Sequence, residues 1–119
     1  MAGIESKSLD QPDETRRVDK GKVEVVELPG GAVMRTTFEP GWRWSECVKP
    51  IVGGDSCQVD HFGYCISGRM HVRMNDGTEV DVGPGEAHRI PPGHDAWVVG
   101  DEPYVGLDFK GGAQYAKPD

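Results

Sequence analysis

The chain has 119 residues, a length typical of one domain, and it contains 17 glycines and 9 prolines. So many turn-forming residues favour a series of short strands over long helices, and the lack of a Gly-X-Y period excludes a collagen-like chain. The net charge of −7 excludes the basic surface that nucleic-acid binding requires.

The cysteines and the start of the sequence bear on the cellular compartment. There are 3 cysteines, an odd number, and the first residues are polar rather than apolar as in a signal peptide. This combination indicates reduced thiols instead of a disulfide framework. No apolar run approaches the roughly 18 residues of a membrane span. We therefore expect a cytoplasmic protein that binds neither a membrane nor a nucleic acid.

In chain order, the sequence divides into an arm, a barrel-like region and a tail. Residues 1–20 are polar and are predicted to form a flexible N-terminal arm. In residues 21–110, short apolar runs alternate with Gly- and Pro-rich turns, a pattern typical of a β-sandwich or β-barrel. Residues 111–119 are predicted to form a loose C-terminal tail. The predicted strands are 22–28, 32–38, 42–48, 57–67, 70–74, 79–82, 86–90, 95–99 and 104–109.

The strand predicted at 57–67 has two uncharged faces. One face carries His61, Gly63 and Cys65, and the other carries Phe62, Tyr64 and Ile66. A strand that is apolar on both faces is covered on both faces. One cover is the core, and the other is either the N-terminal strand or a second subunit. We therefore expect a homodimer.

Two glycine-punctuated motifs carry the strongest signal in the sequence. They are Gly41-x5-Cys47-x-Lys49 followed by His61-x6-Gly68, and Gly85-x5-Pro91-x-Gly93. Together they resemble the two motifs of the cupin superfamily over residues 32–109. The resemblance implies a small, single-domain, all-β protein with the double-stranded β-helix, or jelly-roll, cupin barrel and an N-terminal extension.

The resemblance also implies where metal ligands would lie. Cupins usually bind a divalent metal through two histidines and a glutamate of the first motif and one histidine of the second. In this sequence, Cys47 and Lys49 occupy the two histidine positions of the first motif. His61 occupies the glutamate position, and Ala96 occupies the last histidine position. The metal motif is therefore degenerate.

Other residues on the inward faces offer an alternative ligand set. His94 shares a strand face with Ala96, and Cys57 shares a face with His61. Thiolate and imidazole ligands favour zinc or ferrous iron over magnesium or calcium. The candidate metal ligands are Cys47, His61, His94 and Cys57. The residues expected to line the pocket are Trp44, Lys49, Tyr64, His88, Ala96 and Trp97.

Two functions remain open at this point. The first is a small-molecule-binding cupin with a mononuclear zinc or iron site and an unassigned activity. The second is a non-catalytic, ligand-sensing cupin module without metal, because the usual ligand set is not intact and the ammonium of Lys49 would repel a cation in the same cavity.

Overall fold

The computed structural model describes residues 3–110 and 115–116, and that part of the chain contains nine strands and two short helices. The helices have four residues each, and neither is long and apolar enough to cross a membrane. The elements are β1 (Glu14–Val18), β2 (Gly21–Leu28), β3 (Gly31–Phe38), α1 (Trp44–Cys47), α2 (Lys49–Val52), β4 (His61–Ser67), β5 (Arg69–Met74), β6 (Glu79–Val82), β7 (Ala87–Ile90), β8 (His94–Val99) and β9 (Tyr104–Asp108).

The strands form two antiparallel sheets around one core. A six-stranded sheet has the order β1-β2-β3-β9-β4-β7, and a three-stranded sheet has the order β6-β5-β8. One cluster of buried side chains takes residues from both sheets, for example Met34 of β3 and Val72 of β5. The predicted all-β jelly-roll architecture is confirmed.

The prediction of a strand at 42–48 is wrong, because most of this segment forms helix α1. Trp44 and Cys47 are both buried, although they would lie on opposite faces of a strand. Asp95, on β8, accepts a hydrogen bond of 3.1 Å from the backbone N–H of Ser45. This bond satisfies a donor that the start of a helix leaves free. A carboxylate from a distant strand thus stabilises the helix.

Both ends of the chain contribute more to the fold than the sequence predicted. Glu14–Val18 lies within the predicted arm, yet it forms β1 and pairs with β2. Arg16 of this strand donates a hydrogen bond of 2.6 Å to the carbonyl oxygen of Tyr115. Tyr115 belongs to the predicted loose tail, but its side chain is buried. The sheet therefore begins at Glu14. Ala116 is buried as well, and the remaining residues of the predicted tail lie outside the described residues.

Strand β4 follows the predicted alternation, although it begins at His61 rather than at Cys57. His61 is buried, and Phe62 beside it is 58 % exposed. Gly63 lets β4 approach β9 closely, because a Cβ atom at this position would lie 2.0 Å from the carbonyl oxygen of Leu107. The strand register therefore brings His61 next to the end of β9.

The outer face of β4 is an apolar surface formed by Phe62, Tyr64 and Ile66. These side chains are 58 %, 42 % and 47 % exposed, respectively. The predicted N-terminal strand, 22–28, corresponds to β2, which lies in the same sheet as β4 and beyond β3 and β9, so it does not cover this face. The expected homodimer concerns this surface and stays a prediction.

If a second copy covers this face, Phe62→Lys combined with Tyr64→Lys should convert a dimer into a monomer. The reason is that two ammonium groups would lose their hydration in the interface. Light scattering measures the change. The matched control is Val80→Lys, because Val80 is 55 % exposed on a strand of the other sheet. A wild-type protein that is monomeric would contradict the prediction.

Candidate metal centre

Three buried side chains meet between the two sheets: Cys57, His61 and His94. One ligand atom from each lies within 4.8 Å of the other two. The Cys57 Sγ atom is 3.8 Å from His61 Nε2. The imidazole rings of His61 and His94 have centroids 5.2 Å apart and are inclined at 64°. The structure thus brings three of the four candidate ligands together.

Backbone hydrogen bonds position Cys57, which precedes β4. Its N–H donates to the carbonyl oxygen of His94 at 2.7 Å, and the N–H of Gly93 donates to the carbonyl oxygen of Cys57 at 2.7 Å. Gly93 has a φ of +94°, a conformation that favours glycine. The Pro-Pro-Gly turn before β8 therefore places His94 directly beside the cysteine.

Each histidine is held from behind by an oxygen acceptor. His94 Nδ1 donates to the carbonyl oxygen of Pro91 at 2.8 Å, which leaves Nε2 as the ring nitrogen that interacts with Cys57. His61 Nδ1 donates to a carboxylate oxygen of Asp108, so its Nε2 faces Cys57. An oxygen acceptor behind the imidazole is the usual arrangement of metal-bound histidines.

The cysteine and the adjacent histidine alter each other's protonation. Burial opposes ionisation of Cys57, but hydrogen bonds with His61 and His94 outweigh it and lower the thiol pKa to about 6. Burial also opposes protonation of His61, but Asp108 and Cys57 outweigh it and raise the imidazole pKa to about 9. Without metal, the centre therefore holds a thiolate beside an imidazolium at neutral pH. A metal would use this thiolate and displace the imidazole proton.

Cys47 does not join this cluster. It lies in α1, and its thiol is 3.9 Å from a carboxylate oxygen of Asp19. The spacing of the cupin motif placed Cys47 at a ligand position, and the separate prediction of a strand at 42–48 put it on an inward face. The helix turns the thiol to another site, and Cys57 supplies the sulfur of the cluster instead.

The cluster adjoins a cavity of about 50 Å³. Of the residues predicted to line it, Trp44, His88 and Ala96 do so. Most of its other lining side chains are apolar or aromatic; they include Met34, Phe38, Trp42, Met70, Ile90 and Tyr104.

Lys49, Tyr64 and Trp97 are not among the residues that line this cavity. Lys49 lies in α2, and Tyr64 projects from the outer face of β4. Trp97 lies on the outward side of β8, where the Arg43 guanidinium is 4.3 Å from its ring centroid. The prediction that these three residues line the pocket therefore needs correction. Because Lys49 does not line the cavity, its ammonium group is not placed there to repel a cation.

Sequence reasoning missed two residues that contact His61. Asp108 ends β9, in which Tyr104, Gly106 and Asp108 are buried in alternation, so the strand pattern could have revealed it. The ring of Tyr115 lies 5.2 Å from that of His61, centroid to centroid. No sequence pattern indicated this second contact, because the segment around Tyr115 is rich in small and polar residues.

In the metal-free protein, thiolate absorbance should rise with a midpoint near pH 6, the pKa of Cys57. Because this pKa is lowered in the folded state, ionisation of Cys57 stabilises the fold fully above the ordinary thiol pKa. The stabilisation is lost as the pH falls through about 6. Ultraviolet titration tests the midpoint. Cys57→Ser should abolish this rise, and Cys65→Ser should preserve it, since burial raises the Cys65 pKa. A Cys57 midpoint near 9 would contradict the assignment.

Several solved structures resemble this protein. KdgF from Halomonas sp. superposes with a TM-score of 0.62 at 18% identity, covering 92% of this chain and 94% of KdgF. Oxalate decarboxylase from Bacillus subtilis superposes with a TM-score of 0.60 at 26% identity, and the match covers 90% of this chain and 29% of the decarboxylase. Oxalate decarboxylase from Lactobacillus farciminis superposes with a TM-score of 0.61 at 18% identity, and the match covers 86% of this chain and 32% of the decarboxylase.

The chain therefore spans about a third of the length of the two oxalate decarboxylases. No protein-family model matches the sequence, and no curated protein is significantly similar to it. The motifs, the two-sheet barrel and these structural neighbours agree. The protein is a small member of the cupin superfamily.

Proposed function

We propose that this cupin binds one zinc or ferrous ion through Cys57, His61 and His94 and acts on a small molecule in the adjacent cavity. The observation that carries the proposal is the buried cluster of three ligand atoms within 4.8 Å of one another. One thiolate and two imidazoles suit zinc or iron. Three protein ligands leave a coordination position for a substrate or water, which is the pattern of catalytic sites.

The surroundings of the cluster support a reactive rather than a purely structural site. His61 and His94 both line the cavity, so a bound molecule would lie against the ligands. A metal in such a position supplies a Lewis acid that polarises a substrate oxygen. Asp108 and the Pro91 carbonyl hold the two imidazoles, and the apolar walls limit the access of water. Two structural neighbours are named decarboxylases, but the reaction of this chain is unassigned.

The second candidate is a ligand-sensing module without metal. One observation favours it: Cys57 and His61 are already hydrogen-bond partners at 3.8 Å, and they balance each other's charge without a cation. In that case the cavity would bind its ligand beside an ion pair, with no turnover.

Metal binding decides between the two candidates. Cobalt(II) added to the metal-free protein should give a thiolate charge-transfer band, and zinc should displace it. Cys57→Ser should abolish the band, and His94→Ala should weaken cobalt binding by more than about a hundredfold, since a lost ligand costs more than a lost outer contact. Cys47→Ser is the matched control and should bind cobalt normally. No charge-transfer band in the wild-type protein would favour the sensing module.

Asp108→Asn tests the support of His61. We expect metal affinity to fall by about 10- to 100-fold, because an amide holds the imidazole less firmly than a carboxylate and does not increase its basicity. Competition with a chelating dye measures the affinity, and thermal unfolding of the metal-free protein checks the fold. Asp60→Asn is the control, because Asp60 pairs with Lys110 outside the cluster. Unchanged affinity in Asp108→Asn would show that His61 needs no such support.

A further inference from the structure

The apolar surface on the outside of β4 continues onto the neighbouring strand β9. The backbone N–H of Phe109 donates to the carbonyl oxygen of Phe62 at 2.9 Å, so these two aromatic residues are neighbours. Phe109 is 50 % exposed, a fraction similar to those of Phe62, Tyr64 and Ile66. Leu107 is partly exposed and pairs with Tyr64 across the two strands, so it shares their face. A contiguous apolar group of this kind marks an interaction surface.

The apolar side chains alone are too few for a stable interface. Phe62, Tyr64, Ile66 and Phe109 together expose roughly 400 Å², since each is about half exposed and a large side chain can bury about 150–250 Å². A standard protein interface covers about 800 Å² on each partner. A partner that binds here must therefore also contact the charged residues at the two ends of the surface.

The end of the surface where β4 begins and β9 ends is basic. Asp60, the residue before β4, has one carboxylate oxygen 2.6 Å from the Lys110 ammonium and the other 3.5 Å from Arg89 Nε. The side chains of Lys110 and Arg89 are 59% and 61% exposed. Arg89 pairs with Phe62 in the sheet, so it borders the apolar surface directly. Two cations share one carboxylate, which leaves one positive charge in excess at this end.

The opposite end of the surface, where β4 ends and β9 begins, is acidic. Asp101 and Glu102 are exposed and lie in the turn that leads into β9, whose first residues are next to the end of β4. Neither carboxylate forms an ion pair within the part of the chain that the structure describes. Arg69 and Glu86 also lie at this end, but both are beside Gly83 and their charges offset each other. Two negative charges are therefore left without compensation.

The two charged ends are equally far from the centre of the surface. Lys110 and Glu102 each lie four residues from Gly106 of β9, a distance of about 13 Å along an extended segment. Gly106 pairs with Cys65 of β4. A twofold axis through this pair, perpendicular to the sheet, would place the basic end of one copy over the acidic end of another. The surface is therefore complementary to itself, as the interface of a twofold dimer requires.

We propose that this face binds a second copy of the chain in an antiparallel, twofold arrangement. Strand β4 of one copy runs opposite to β4 of the other, and Arg89 and Lys110 face the partner's Asp101 and the partner's Glu102. A parallel arrangement would place like charges opposite each other, which is unfavourable. The inference concerns the outside of the sheet and does not depend on the metal centre.

Charge reversal at the two ends tests this arrangement. One variant carries Arg89→Glu with Lys110→Glu, and the other carries Asp101→Lys with Glu102→Lys. Each variant alone should dimerise at least about tenfold more weakly than the wild type, because both ends of its surface then have the same sign. An equimolar mixture of the two variants should restore the dimer. Analytical ultracentrifugation measures both effects.

The matched control for the first variant is Arg17→Glu combined with Arg73→Glu, which changes the net charge by the same amount. Both arginines are exposed; Arg17 lies on β1, at the far end of the sheet, and Arg73 lies on β5 of the other sheet. This control should dimerise like the wild type. Equal weakening in the control and in the first variant would show that only net charge matters, and it would overturn the inference.

Carbodiimide cross-linking of the wild-type protein tests the orientation directly. In a mixture of ¹⁵N-labelled and unlabelled protein, Lys110 should become linked to Asp101 or Glu102 in peptides that carry both labels. The link between Lys110 and Asp60 within one copy is the internal control, since these groups are 2.6 Å apart. The inference is overturned if the wild type is monomeric, or if its dimer gives the internal link but no mixed-label link from Lys110 to this turn. Because cross-linking uses the wild type, a variant that fails to fold does not prevent the test.

Discussion

Two backbone hydrogen bonds join Cys57 to the Gly93–His94 segment, and the whole centre depends on them. They connect the loop before β4, a strand of the six-stranded sheet, to β8, a strand of the three-stranded sheet. His61 comes from the first sheet, and His94 comes from the second. The cysteine lies at the junction, so its thiol meets both imidazoles. The ligand atoms are therefore brought together by the closure of the barrel and not by a local sequence motif.

The chemistry of the centre follows from a chain of three groups: the Asp108 carboxylate, the His61 imidazole and the Cys57 thiol. The carboxylate favours a proton on His61, and that proton favours the thiolate. A bound cation would take over the role of this proton. Proton and metal thus compete for the same buried negative charge, which couples metal affinity to pH through the protein's own hydrogen bonds.

Much of the fold could be predicted from the sequence, because turn residues separate the strands and alternation identifies the buried face of β4. The prediction failed at 42–48, where the burial of Trp44 and Cys47 depends on a helix that Asp95 stabilises from another strand. Cys47 was a candidate ligand because of its place in the cupin motif, and the wrong strand prediction agreed with that placement. Cys57 and His94 were candidates from strand parity, but their pairing depends on the turn geometry at Gly93. The contact between the rings of Tyr115 and His61 could not be predicted. Tyr115 is hydrogen-bonded to Arg16, which lies 99 residues away in the sequence.

The position of Tyr115 makes the carboxyl end of the polypeptide part of the chemistry of the protein. Its ring lies against His61, and its carbonyl oxygen accepts a hydrogen bond from Arg16. A shortened chain that ended at Lys110 would lose one wall of the cavity and leave the buried guanidinium of Arg16 without this acceptor. A truncation that removes Tyr115 would therefore alter the environment of the imidazole and not only the surface.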